Sequence, residues 1–317
     1  MSKKVINKIL SIIFIILLAV VIIIYIVDSE KGDRTFKKEL VTIDTSEVTS
    51  INILPKKDTN YIKIFKTSDN NWKLKNKGND VNADKNTVNE MLKELINLHP
   101  KSVAATNQSK WKEFEVTDSL ATRVKVLKGN KTVADVMLGK FSYKQNPMTR
   151  RTEITSYVRL FNEDKIYAID GFLNMTFNRN PKSFRDDAVI SSPVNNWNKI
   201  TYNYPSDSSF TLIKQNNKWM VSGLLADSTI TTRYLQTISH LNNSDFIDDF
   251  KYQNNKPVYS VKIEGNNMKP IEINAFSTDS LNQYVVTSSE NIGTYFDGNK
   301  ILKKLYVNKN YFSKKVK

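Results

Sequence analysis

The chain repeats part of itself, and an internal repeat restricts the possible folds more than any single motif. Val81 to Leu98, VNADKNTVNEMLKELINL, aligns without a gap with Leu224 to Leu241, LLADSTITTRYLQTISHL. Ala83-Asp84 falls on Ala226-Asp227, and Leu92, Leu95 and Leu98 fall on Leu235, Ile238 and Leu241. Upstream, Asn71-Trp72-Lys73-Leu74 corresponds to Lys218-Trp219-Met220-Val221, each after an alternating apolar run, Tyr61 to Phe65 and Phe210 to Ile213. Downstream, Val124-Lys125-Val126 with Gly129-Asn130 recurs as Val261-Lys262-Ile263 with Gly265-Asn266. Several matches in one order, with modest gaps, point to a tandem duplication with units at 46–195 and 196–317.

Each unit has a physical reading. Asp84 and Asp227 stand where an N-cap belongs, with a carboxylate able to accept the free amide hydrogens of a first helical turn. Behind them Val88, Met91, Leu92, Leu95 and Leu98, and Tyr234, Leu235, Ile238 and Leu241, follow helical spacing and give each helix one apolar face. Ser50 to Leu54, Tyr61 to Phe65, Arg123 to Leu127, Val133 to Leu138 and Ser156 to Leu160 alternate or are rich in β-branched residues, between Asn, Asp and Gly turns. They predict short antiparallel strands. Runs of strands with one main packed helix per unit predict an α+β fold. Trp72 and Trp219 hold the same place in the repeated strand pattern, which favours core packing over stacking on a sugar.

From Ile9 to Val27 the sequence ILSIIFIILLAVVIIIYIV is uncharged, and a bilayer needs about 20 such residues. The flanks offer no small-residue cleavage pattern and no cysteine for a lipid, so 9–27 is expected to be an uncleaved transmembrane anchor. Residues 1–8 form a basic flank, with Lys3, Lys4 and Lys8, expected to remain cytoplasmic. The linker 28–45 and all that follows are then expected outside the cytoplasm, in a single-pass protein of the cell membrane.

Composition removes several chemistries. The 317 residues include no cysteine and two histidines, which excludes disulfides, thiol nucleophiles and Cys-based metal sites. No G-x-S-x-G, H-E-x-x-H, P-loop, G-x-G-x-x-G or EF-hand pattern occurs. No catalytic residue, cofactor or metal ligand is therefore assigned, and a small-molecule ligand is left unknown. His99, at the end of the first helix, and His240, placed within the second, read as helix-end or surface residues. Asp186-Asp187 and Asp248-Asp249 read as turn or cap residues without a nearby partner, and Arg185 as half of a structural ion pair.

The formal charge is +15, and the last segment concentrates it. Lys300, Lys303, Lys304, Lys309, Lys314, Lys315 and Lys317 occur there without an acid, among Tyr306, Tyr311 and Phe312. Lys303, Lys304, Lys309, Lys314 and Lys315 are candidate contacts for an anionic surface, lipid headgroups or an acidic envelope polymer. The plain reading is a solvated final strand and tail. Nucleic acid is not expected outside the cytoplasm, and no recognition motif accompanies the charge.

Trp72-Lys73-Leu74, the Ala-Asp-capped helix with its Leu-x-x-Leu-x-x-Leu face, Tyr157-Val158-Arg159-Leu160 and the Phe184-Arg185-Asp186-Asp187 turn resemble a family of bacterial proteins known only as a domain of unknown function. The resemblance implies one N-terminal membrane helix and tandem α+β repeats. Some members look like neighbours of gliding-type ABC transporter subunits, which implies an accessory role in a membrane machine. The expected function is a non-enzymatic interaction module, bound to lipid through its N-terminal helix and to a membrane-protein or envelope partner. A binding protein for acidic envelope glycan or lipid headgroups is the alternative. An envelope hydrolase would need two carboxylates facing one cleft at about 5–9.5 Å.

Overall fold

Period-two apolar patterning builds two large sheets in the computed structural model, which describes residues 13–22, 36–76, 80–145, 150–250, 256–278 and 283–313. The fold is mostly β with a few helices, α+β in class. The first sheet uses β1 (Ser50–Leu54), β2 (Ile62–Lys66), β3 (Trp72–Leu74), β4 (Val81–Asn82), β5 (Pro100–Ala105), β6 (Thr122–Lys128), β7 (Lys131–Gln145), β8 (Thr152–Leu160) and β9 (Ile166–Asp170). Its order is β4-β3-β2-β1-β6-β7-β8-β9-β5. A two-stranded ribbon pairs β10 (Ala188–Ser191) with β15 (His240–Asn242).

The second sheet uses β11 (Trp197–Asn203), β12 (Phe210–Gln215), β13 (Lys218–Val221), β14 (Leu224–Leu225), β16 (Tyr259–Gly265), β17 (Ile271–Ser277), β18 (Tyr284–Ser288) and β19 (Phe296–Asp297). Its order, β14-β13-β12-β11-β16-β17-β18-β19, reproduces the first eight positions of the other sheet with every strand ten further on. Two sheets of one order are consistent with a repeat. By contacts the chain divides into two compact units, one of Met1–Val48, Ile53–Asn60 and Leu92–Asn178, the other of Thr49–Asn52, Tyr61–Met91 and Arg179–Lys317.

The helices follow β4, β14, β9 and β19. α2 (Lys85–Ile96) buries Val88, Met91, Leu92 and Leu95, and α4 (Ser228–Ile238) buries Tyr234, Leu235 and Ile238. Both are shorter than their apolar spacing predicts. Leu98 and Leu241 are buried but lie beyond the helix ends, and His240 belongs to β15 rather than to α4. Pro100 disfavours helical backbone at His99, and β10 draws residues 240–242 into a ribbon.

A further, shorter helix accompanies each sheet besides the one main packed helix expected. α3 (Leu173–Phe177) follows β9, and α5 (Gly298–Leu305) follows β19. α5 stands where the final strand is expected to begin. Asp297 caps it by accepting from the Asn299 amide at 2.9 Å, and Ile301 and Leu305, one turn apart, are buried. Strands β7 and β8 are longer than the short strands expected. β7 accommodates a bulge between Leu138 and Phe141 at Gly139, where an added Cβ would lie 2.2 Å from the Phe114 carbonyl oxygen.

The N-terminal apolar stretch is described only in part. Residues 13–22 form helix α1, with its large apolar side chains exposed. At 1.5 Å per residue it spans about 15 Å. Among the described residues no helix is long and apolar enough to cross a membrane. Residues 9–12 and 23–27 of the expected anchor lie outside the described residues, as do the flank 1–8, residues 28–35 of the linker, and Lys314 and Lys315. Within 28–45, Leu40 and Val41 are buried and the Leu40 amide donates to the Leu98 carbonyl at 3.1 Å.

Candidate functional site

Residues 305–312 of the basic C-terminal segment are tied down by three hydrogen bonds from two tyrosines and an aspartate. Tyr234 Oη donates to the Leu305 carbonyl at 2.6 Å, Tyr204 Oη to the Val307 carbonyl at 2.9 Å, and the Asp227 amide to the Phe312 carbonyl at 2.8 Å. Phe312 is fully buried, set edge-on to Tyr234 with ring centroids 5.1 Å apart. Tyr202, stacked on Phe210 at 4.3 Å, donates to Tyr234 Oη. Burial pushes the Tyr202, Tyr204, Tyr234 and Tyr306 hydroxyls far above their ordinary range, so they act as neutral donors.

On this scaffold Lys303 and Lys304 occupy the last turn of α5, and Lys309 opens the 3-10 turn Lys309–Phe312. All three are exposed and have no ion pair among the described residues. Lys300 is different, since its ammonium meets Asp245 at 2.7 Å. Lys303 and Lys304 also complement the negative carbonyl end of α5. That contribution is structural, and it leaves both ammonium groups open to an anion.

The aligned residues Asp84 and Asp227 make corresponding contacts beside the two sheets. Asp84 Oδ1 accepts from the Thr87 amide at 2.7 Å, and Asp227 Oδ1 from the Ile230 amide at 3.0 Å. The Ala83 amide donates to the Trp72 carbonyl at 3.1 Å, and that of Ala226 to the Trp219 carbonyl at 2.9 Å. The Asp84 amide donates to the Phe184 carbonyl at 2.9 Å, as Asp227 does to Phe312. Phe184 and Phe312 each end a 3-10 turn, Pro181–Phe184 and Lys309–Phe312, capped by the side chain of Asn180 or Asn308. This late Asn-x-x-x-Phe correspondence was not found in the sequence. Its signal is the pair Asn180/Phe184 and Asn308/Phe312, preceded at the same spacing by Leu173/Ile301 and Phe177/Leu305. Trp72 is buried with Lys66 Nζ 5.2 Å from its ring centre, whereas Trp219 is only partly buried against the second core.

The acidic pairs have neighbours, contrary to expectation. Asp248 Oδ1 meets Arg185 Nη1 at 2.7 Å, and the Arg185 guanidinium lies 3.8 Å from the Phe246 ring centre. Arg185 is thus a buried ion-paired residue whose Nε has no hydrogen-bond partner among the described residues. Asp186 and Asp187 lie near Asp84. Burial first, then the charges of Asp84 and Asp187, hold the Asp186 carboxyl above the ordinary range; burial and Asp84 raise Asp187. Glu290 is raised by burial and by Asp186. Fully buried Asn291 ties this region together, donating to the Asp186 carbonyl and accepting from Asn82, both at 2.8 Å. No three metal-ligating side chains are grouped to hold an ion among the described residues.

One open cleft, of about 650 Å³, is lined by Phe36, Lys37, Thr106, Glu163, Asp164, Lys165 and Tyr167. Of its two acids, Asp164 accepts through Oδ1 from Gln108 Nε2 at 3.1 Å, and Glu163 is engaged by two partners. Lys37 forms an ion pair with Glu163, and Tyr167 Oη donates to it at 2.8 Å. Burial raises the Glu163 carboxyl, but the hydrogen bonds from Lys37 and Tyr167 outweigh it and hold the group below its ordinary range. It is ionised near neutrality and unsuited to general-acid work. Beside it Arg159, fully buried over Trp111 at 3.7 Å, donates to the carbonyls of Val116, Leu160, Phe161 and Glu163. His99 Nδ1 lies 3.3 Å from the Lys38 carbonyl, and His240 Nδ1 lies 2.9 Å from Ser239 Oγ.

The sheets and their capped helices define a mostly β, α+β protein with a basic face. The chain belongs to the family described as Domain of unknown function (DUF4340), whose model matches residues 72–261, more than half of its length. No curated protein and no solved structure matches it.

Proposed function

We propose that this chain is a non-enzymatic, single-pass membrane protein whose duplicated α+β repeats serve as an extracytoplasmic interaction module of a membrane complex, of the ABC-transporter type that the family resemblance implies. The N-terminus is cytoplasmic and the repeats lie outside. The observation that carries this reading is the engagement of two buried arginines and of the partly buried carboxylates by structural partners. Arg159 is held by backbone carbonyls, Asp84 and Asp227 by helix amides, Arg185 by Asp248, and Glu163 by Lys37 and Tyr167. Such groups stabilise a scaffold. The anchor would raise the local concentration of the module beside its partner. Affinity isolation of the full chain from gently solubilised native membranes, against a form lacking residues 1–27, tests this. Stoichiometric recovery of membrane-machine subunits is expected, and recovery of the protein alone would sink the idea.

A second reading, binding to acidic envelope glycan or lipid headgroups, is favoured by exposed Lys303, Lys304 and Lys309. Retention on an acidic polymer should fall as salt shortens the Debye length. Replacing these lysines by glutamine should lower the salt needed for elution; an unchanged elution point removes this face from consideration.

A further inference from the structure

The cations of the C-terminal face are matched by a second surface, in the unit that contains β7, β8 and α3. Beyond the bulge at Gly139, β7 pairs Phe141 with Ser156 and Tyr143 with Ile154, and directly paired residues share a sheet face. Phe172, just before α3, places its ring 4.3 Å from that of Phe141, and Met175 follows on α3. These four large side chains remain 42%, 75%, 37% and 67% exposed for Phe141, Tyr143, Phe172 and Met175. Water-facing aromatic area of this kind marks a contact surface. From Lys140 to Arg151 the sequence supplies Lys140, Lys144, Arg150 and Arg151 and no acid. Glu153 lies opposite Lys144 in the ladder, and Asp170 is paired with Lys101 at 2.6 Å.

We propose that this aromatic and basic end of the β7–β8 pair rests in the headgroup region of an anionic phospholipid bilayer, the same bilayer that holds the N-terminal helix; the inference rests on the anchoring reading above. A phenol and a thioether beside two phenyl rings supply what an interface accepts, apolar bodies with a polar rim. Lys144 and Arg150 supply the charge complement to anionic headgroups. The exposed apolar side chains of α1, within the stretch Ile9 to Val27, give the chain its own reason to lie at such a surface.

The absence of cysteine makes the test direct, since one introduced cysteine is the sole labelling site. The full chain, reconstituted into vesicles, would carry a spin label in turn at Tyr143→Cys, Met175→Cys, Ile16→Cys and, as a water-facing control on α4, Thr232→Cys. Collision with oxygen reports lipid, and collision with a water-soluble nickel chelate reports solvent. In phosphatidylcholine mixed with phosphatidylglycerol, the labels at 143 and 175 should lose nickel contact several-fold relative to 232. In pure phosphatidylcholine, or after K144E with R150E, that protection should disappear. Labels at 143 and 175 that stay in water while the label at 16 is in lipid would overturn this inference and leave anchoring intact. A label at 16 in water would overturn both. Protection that persists in pure phosphatidylcholine would overturn the role given to the basic residues.

Discussion

Asp84 and Asp227 perform one task twice, and their surroundings allow that task to be measured. Each carboxylate satisfies an amide of the first helical turn, and each residue's own amide is bound by a phenylalanine carbonyl. Asp84→Ala and Asp227→Ala should each lower unfolding stability by about 1 kcal/mol, read from denaturant midpoints. The Asn variants should lose less. A different kind of residue effect comes from Asp186, Asp187 and Glu290, whose folded-state pKa values are raised above those of the unfolded chain. In the interval between the unfolded and folded values the native state binds more protons, so stability falls as pH rises through it. The stabilising contribution is fully present below the unfolded values and lost above the folded ones. Asp186→Asn combined with Glu290→Gln should raise the melting temperature near neutral pH and flatten its dependence on pH between mildly acidic and neutral buffer. A double variant with the pH profile of the original would remove the carboxylates as its source.

Among the elements, the C-terminal segment separates packing from charge most clearly. Phe312 is buried, and its carbonyl holds the start of α4. Phe312→Ala should cost about 3–5 kcal/mol, whereas Lys309→Gln, exposed on the same turn, should stay within about 0.5 kcal/mol. Thermal unfolding of the two variants side by side checks both. The contrast also marks what the sequence makes legible. Helices α2 and α4 can be read because cap, apolar spacing and breaker are all local, and the strands because alternation is local too. The helix ends were harder, since ribbon pairing of β15 with β10 takes residues that continue the apolar spacing. The long β7, with its bulge at Gly139, could not be read from alternation that the bulge itself interrupts. Of the candidate basic face, the lysines are legible as charge, but the ties of the chain around Lys303, Lys304 and Lys309 to Tyr204, Tyr234 and Asp227 are not. The roles of Arg159 and Asn291 depend on partners such as Val116 and Asp186, far away in sequence, and have no local signature.

On the scale of the whole molecule, long-range closure dominates. Asp84 meets Phe184, and Asp227 meets Phe312, across long intervening stretches of strand. Folds built from such non-local pairs form in roughly milliseconds to seconds rather than microseconds. Refolding from denaturant, followed through tryptophan fluorescence with fully buried Trp197 as the main reporter, should therefore lie in that slow range. A microsecond phase that recovers the native signal would contradict it. The order of residues along the chain adds a consequence for biosynthesis. A polypeptide leaves the ribosome N-terminus first, at about 5–20 residues per second. The start of α4 is made before the carbonyl that receives its Asp227 amide, which belongs to Phe312 and follows 85 residues later. For several seconds of each synthesis the helix α4 and the sheet around it must therefore wait unfinished, with the place of Phe312 empty and the chain not yet locked.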